Sequence, residues 1–244
     1  MKTVGMMCVK DEADLLPLVY PHVRERVDYL YAYDDFSSDG TWDLIKYSDY
    51  AIRAVDDLRP DMARPNYHHL LEQIRHDFKG EDVWIFIAMG DRIFTKSPAE
   101  IVEEATTNAV EAIQVDCIKD DWTRATDPWP DYSEIQRLCT RFVYDEHCVV
   151  GYKLTDQVSY LNARYPWPNG LGPVQYKDDF HKDKPWLLHY GRRSPKGLMW
   201  RYASLSRPIS SKYNRIWDLS TFESTVKTVQ FFNGSKYGLQ KVNA

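Results

Sequence analysis

Over the first 118 residues, apolar runs of strand length alternate with stretches of helical periodicity. That alternation restricts the chain to stacked βαβ units around a parallel sheet. Strands are predicted at Thr3 to Val9, Val27 to Tyr33, Tyr50 to Val55, from Trp84, and at Ala112 to Ile118. Between them, Asp11 is placed to cap a helix running to about Arg26, and Thr41 to Tyr47 begins another. Asn66 to Phe78 sets Leu70, Leu71, Ile74 and Phe78 on one helical face, and Ser97-Pro98 opens a helix to Ala109. After residue 118 the pattern loosens. Ile135 to Tyr144, Cys148 to Leu154 and Trp186 to His189 read as strands, and Pro195 to Leu205 as helical. The expectation is an α/β fold with a mostly parallel, Rossmann-like central sheet flanked by helices and an irregular C-terminal extension. It divides at 1–118 and 119–244 within one compact domain.

Two predicted strands end in carboxylates. The apolar run from Trp84 reaches Gly90-Asp91-Arg92, and the second strand runs into Asp34-Asp35-Phe36-Ser37-Ser38-Asp39-Gly40-Thr41. In open α/β sheets, ligands collect at the carboxyl ends of strands. Carboxylates there can accept from a nucleoside, or hold a hard divalent cation on a diphosphate. Neither a Gly-x-Gly-x-x-Gly nor a Gly-x-x-x-x-Gly-Lys sequence occurs, so the usual dinucleotide fold and the P-loop are not indicated.

A net charge of -5 excludes a chain that coats nucleic acid by bulk charge. The charge is unevenly spread, however. From Lys184 to Trp217 there is no Asp or Glu, while Arg192, Arg193, Lys196 and Arg201 interleave with Trp186, Tyr190 and Trp200. Such a segment suits a polyanionic acceptor whose bases stack on aromatic rings. The four cysteines form no Cys-x-x-Cys pair, and two lie in strand-like runs. They read as reduced thiols and point to a cytoplasmic setting. The N-terminus enters a strand directly, without a signal peptide's apolar region. No apolar run nears the roughly 20 residues of a membrane helix, so no membrane association is expected.

Four stretches together resemble a known family. Lys10-Asp11-Glu12-Ala13-Asp14 is similar to a Lys-Asn-Glu-Ala motif, and Tyr33 to Thr41 to an Asp-Asp-x-Ser-x-Asp-Gly-Thr motif. Trp84 to Phe94 sits where that family has a strand ending Asp-x-Asp-Glu, and His189 to Ser194 is similar to a late His-Tyr-x-x-Arg-Ser segment. The chain resembles GT-A fold glycosyltransferases of the family-2-like group. In size it also resembles members of bacterial viruses that attach sugars to hydroxymethylated pyrimidines in DNA.

The resemblance implies a nucleotide-sugar donor bound by residues 1–118 and an acceptor bound by residues 119–244. Lys10, Glu12, Asp34, Asp35, Asp39, Arg64, Arg92 and Arg193 would contact the donor, with Asp34 or Asp35 accepting from the base or ribose. Asp91 and His189 would hold a divalent metal, Mn²⁺ or Mg²⁺. Trp186, Tyr190, Arg192, Lys196 and Arg201 would face the acceptor, which is either hydroxymethylated DNA or a glycan. An inverting transfer needs a carboxylate base, for which Asp121, with Asp120 beside it, follows a strand. The chain departs from the family at Met89, which stands where the first metal-motif Asp belongs, and at Arg92, which replaces an acid. Those departures leave a second reading, a non-catalytic nucleotide- or glycan-binding module. His68, His69 and His76 on the predicted Asn66 helix read as surface histidines, with no third metal ligand evident.

Overall fold

The computed structural model describes residues 1–55, 63–94, 96–118, 141–161, 168–176 and 186–189. Among the described residues, nine strands form one sheet: β1 (Lys2–Val9), β2 (Tyr29–Asp34), β3 (Tyr50–Arg53), β4 (Val83–Met89), β5 (Arg92–Phe94), β6 (Ala109–Ile118), β7 (Arg141–Lys153), β8 (Val174–Tyr176) and β9 (Trp186–His189). The order is β3-β2-β1-β4-β7-β6-β9-β5, with β8 also paired to β6. Strands β3, β2, β1 and β4 are mutually parallel, which is the half the alternation predicts. The other half is mixed. β7 runs antiparallel to β4 and β6, β9 runs parallel to β6, and β5 returns antiparallel to β9.

Four helices are described: α1 (Leu16–Arg24), α2 (Thr41–Ile45), α3 (Ala63–Asp77) and α4 (Pro98–Glu103). Helices α1 and α2 cover one face of the sheet, against Met7, Val9, Leu30, Ala32, Phe86 and Ala88. Helix α3 covers the other, where Tyr67, Leu70, Leu71 and Ile74 meet Val4, Met6, Ile85 and Ile87. Alternate residues of β1 and β4 therefore supply two separate cores, as period-2 geometry requires of a strand buried on both sides. Among the described residues no helix is long and apolar enough to cross a membrane.

Several sequence-derived boundaries are corrected. Asp11 does not cap α1, which starts at Leu16 with Leu15 as N-cap and no side-chain cap. Asp11 instead adopts φ 50° and turns its carboxylate to the Ser38 N–H at 2.8 Å. Helix α3 begins at Ala63, three residues before the predicted start at Asn66, so Arg64 and Pro65 lie in its first turn. The strand from Trp84 ends where the sequence places its carboxylate, at the Gly90-Asp91 turn, but Arg92–Phe94 beyond that turn forms a further strand, β5, that was not expected. Helix α4 stops at Glu103, and the strand predicted from Ala112 starts at Ala109. The Ser97 cap holds, with Glu100 returning a bond to the Ser97 N–H at 2.8 Å. Arg141 to Lys153 forms one continuous strand in place of two. The expected helix over 195–205 lies outside the described residues.

His22, on α1, carries a pH dependence. Its Nε2 lies 2.9 Å from the Phe94 carbonyl oxygen, and burial together with Arg26 lowers its pKa from the ordinary 6.5. The unfolded chain then takes up this proton before the folded chain does. Stability should fall as pH drops below about 6.5, and level off once pH passes the folded pKa. His22→Gln keeps a donor for the Phe94 carbonyl and removes the titration. Its thermal midpoint should gain on that of the parent as pH falls below about 6.5, and melting midpoints that fall in parallel would reject this account.

Candidate functional site

The parallel half of the sheet brings three strand ends to one edge. Val9 is level with Asp34, and Cys8 with Met89, so β1 lies between the two carboxylate-bearing ends. The chain order reverses between β1 and β4, since β2 and β3 lie to one side of β1 and β4 to the other. That is the switch point where an open α/β sheet leaves a crevice. Strands β2 and β4 are two spacings apart, about 10 Å. A nucleotide can bridge such a span, and a single metal ion cannot.

The loops leaving β1 and β2 are bound to each other. The Asp11 N–H donates to Ser37 Oγ (2.9 Å), the Glu12 N–H to Thr41 Oγ1 (2.8 Å) and the Ala13 N–H to Asp39 Oδ2 (3.0 Å). Thr41 Oγ1 donates in turn to Asp39 Oδ1 at 2.6 Å. Much of the polar 37–41 motif is thus engaged in positioning the 11–13 backbone. Gly90 allows the end of β4 to close on this assembly. A Cβ there would sit 2.9 Å from Val9 Cγ1 and 3.0 Å from Glu12 Cγ.

Asp34 and Asp35 have different surroundings. Asp34 is fully buried, bridged by Arg53 Nε at 2.9 Å, and approached by the Ser37 N–H at 3.3 Å. Burial raises its pKa, while the Ser37 contacts and Arg53 act in the opposite direction. Asp35 is only partly buried, and its N–H donates to the Val9 carbonyl at 2.8 Å. Its charge is felt at Cys8 on the α3 side of the sheet. There burial first, and Asp35 second, push the thiol well above its ordinary pKa, with a Tyr67 hydrogen bond opposing them. A thiol so protonated is a poor nucleophile.

At the β4 end, Asp91 is 2% exposed and Arg92 7% exposed. Arg92 pairs across the sheet with His189, which places His189 beside the Asp91 turn. On its other side His189 is level with Asp116 of β6. Since β4, β6 and β9 run in the same direction, their ends share one edge. Asp120 and Asp121 follow Ile118 at the end of β6 but lie outside the described residues, as do Tyr190, Arg192, Arg193, Lys196 and Arg201. Trp186 stands at the start of β9, and Arg64 in the first turn of α3. Lys10 and Glu12 sit in the β1–α1 loop, Glu12 buried beside Gly90.

No protein-family model matches the sequence, and no curated protein is matched. Among solved structures the chain is similar to Staphylococcus aureus TarS, at 10% identity and TM-score 0.39, covering 94% of this chain and 44% of that one. For TarS residues 1–349 the values are 9%, 0.40, 100% and 76%. A Bacillus anthracis protein described as a glucose-1-phosphate thymidylyltransferase, in complex with a sucrose, gives 11%, 0.39, 87% and 99%. Likenesses this slight leave the fold to rest on its own strand order.

Sequence reasoning missed Arg53, Asn66, Tyr67 and Asp116 at this edge. For Asn66 a signal existed: it is an amide on the apolar face of α3, next to Tyr67 and one turn before Leu70. Arg53 and Asp116 enter through strand register, which local periodicity does not encode.

Proposed function

We propose that the chain is a glycosyltransferase that binds a nucleotide-sugar donor along the edge between Asp35 and Asp91. The observation that carries this reading is the convergence of two carboxylate-ended parallel strands on either side of one switch point. Asp34, buried and bridged to Arg53, shapes the loop. Asp35, on the side of Cys8 and α3, receives the nucleoside, and Arg64 in the first turn of α3 serves the diphosphate. Asp39 and the Glu12 backbone hold the loops that frame the donor, and Lys10 in the same loop is assigned to the donor itself.

Asp91, in the turn before β5, and His189, opposite Arg92 on β9, are the residues that would hold Mn²⁺ through a carboxylate and an imidazole. A bound ion would neutralise charge on the departing diphosphate as a Lewis acid. Met89 adds no hard ligand, so water and phosphate oxygens would have to complete the set. Arg92 adds fixed positive charge at the same turn. Asp121, beyond the end of β6, is assigned to take the acceptor's proton.

The basic, acid-free segment from Lys184 to Trp217 favours hydroxymethylated pyrimidine in DNA over a neutral glycan as the acceptor. Mass spectrometry of products, with a panel of nucleotide sugars offered against hydroxymethyl-pyrimidine DNA and simple glycans, tests both levels. Transfer to DNA alone is expected. Transfer only to glycans would remove the DNA acceptor and keep the enzyme class. Nucleotide binding without transfer to any acceptor would favour the binding-module reading that Met89 suggests.

A further inference from the structure

Asn66 is 2% exposed, and among the described residues its Nδ2 meets no hydrogen-bond acceptor. A buried amide donor without an acceptor is costly and is rarely kept in a native interior. It lies in the second turn of a 15-residue helix. Helix α3 crosses from β3 to β4, so it runs against the strands and its start overlies their carboxyl edge. Helical side chains lean toward the N-terminus, which directs the amide of Asn66 to that edge.

Its position across the sheet follows from its neighbours on the helix. Asn66, Leu70 and Asp77 occupy one row, and Tyr31 of β2 donates to Asp77 at 2.7 Å. His69 meets Tyr33 edge-on, with ring centroids 6.4 Å apart. The row therefore lies over β2, and its first member lies near the end of that strand, where Asp35 follows. Next along the helix, Tyr67 belongs to the same cluster as Cys8, whose thiol also feels the charge of Asp35. Asn66 thus offers a hydrogen-bond donor in the same neighbourhood as a carboxylate.

This pairing selects among ligands. A phosphate would suffer repulsion from Asp35, whereas the edge of a nucleobase presents an N–H donor beside an acceptor atom. We propose that Asn66 Nδ2 donates to the acceptor on the Watson–Crick edge of the donor's nucleobase, while Asp35 accepts from the adjacent N–H. This deepens the nucleotide-sugar reading and rests on it.

Calorimetry on the full chain with each of the four ribonucleoside diphosphates, and with pyrophosphate, tests the assignment. Asn66→Ala should weaken the preferred nucleoside diphosphate by about 10- to 100-fold and leave pyrophosphate unchanged. The substitution removes a buried donor that has no acceptor, so the variant should stay folded, which its melting temperature checks. An equal loss toward pyrophosphate would assign Asn66 to the phosphates and overturn base reading. Unchanged nucleoside diphosphate affinity would also overturn it, while leaving the nucleotide-sugar reading in place. A parent chain that binds pyrophosphate but shows no preference among bases would overturn the inference alone. A parent that binds neither would remove both.

Discussion

Asp91→Asn is expected to reduce sugar transfer by at least about 100-fold while shifting the melting temperature little. The substitution keeps the size of the side chain and removes its charge at a turn where Asp91 is almost fully enclosed. If the carboxylate holds a cation against the diphosphate, most of the loss should appear in kcat, since charge develops as the sugar–phosphate bond breaks. Mn²⁺ dependence should weaken in parallel, because the remaining imidazole cannot replace a carboxylate for a hard cation. Michaelis–Menten kinetics over a Mn²⁺ titration, with a thermal melt of each variant, reads all of these quantities. Undiminished kcat in a folded variant would reject the metal role of Asp91. A loss confined to KM would instead assign the carboxylate to ground-state binding.

The parts of this fold that were legible in the sequence are those that local periodicity controls. Strands β1 to β4 are apolar runs joined by amphipathic helices, and βαβ geometry alone puts their carboxyl ends together. The acidic residues at those ends were visible for the same reason. Pairing in the second half depends on contacts between residues far apart in the chain. Nothing local in Arg141–Lys153 says that it inserts between β4 and β6. Asp11 shows how a local rule loses to a distant partner. Its position suited a helix cap, but Ser38, 27 residues away, offers an N–H that its carboxylate reaches first. Gly90 before a charge marked the end of β4, but Arg92–Phe94 is too short a run to announce β5, whose partner β9 lies far along the chain. Asp34 and Asp35 are adjacent in sequence, yet alternation sends them to opposite faces. Which face holds the crevice depends on where α3 lies, and that is a property of the assembled sheet.

The junction between the two halves can be tested at Gly151. This residue of β7 pairs directly with Phe86 of β4, and the ring lies over its backbone. A Cβ at position 151 would fall 2.7 Å from Phe86 Cε1 and 2.9 Å from Cδ1. The ring has no room to withdraw. It is fully buried, stacked against Trp84 at 6.5 Å and met edge-on by Phe94 at 6.2 Å. Gly151→Ala must therefore push β7 outward or force Phe86 from its rotamer, at a cost of about 2–3 kcal/mol. For a chain of this length that lowers the melting temperature by roughly 4–12 °C. Combining it with Phe86→Leu gives the ring's space to the new methyl group. The double variant should then be more stable than the sum of the two single changes predicts, by about 1 kcal/mol. Strictly additive losses would mean that the methyl group meets something other than Phe86. A Gly151→Ala variant that melts with the parent would show that β7 does not sit against β4 in this register.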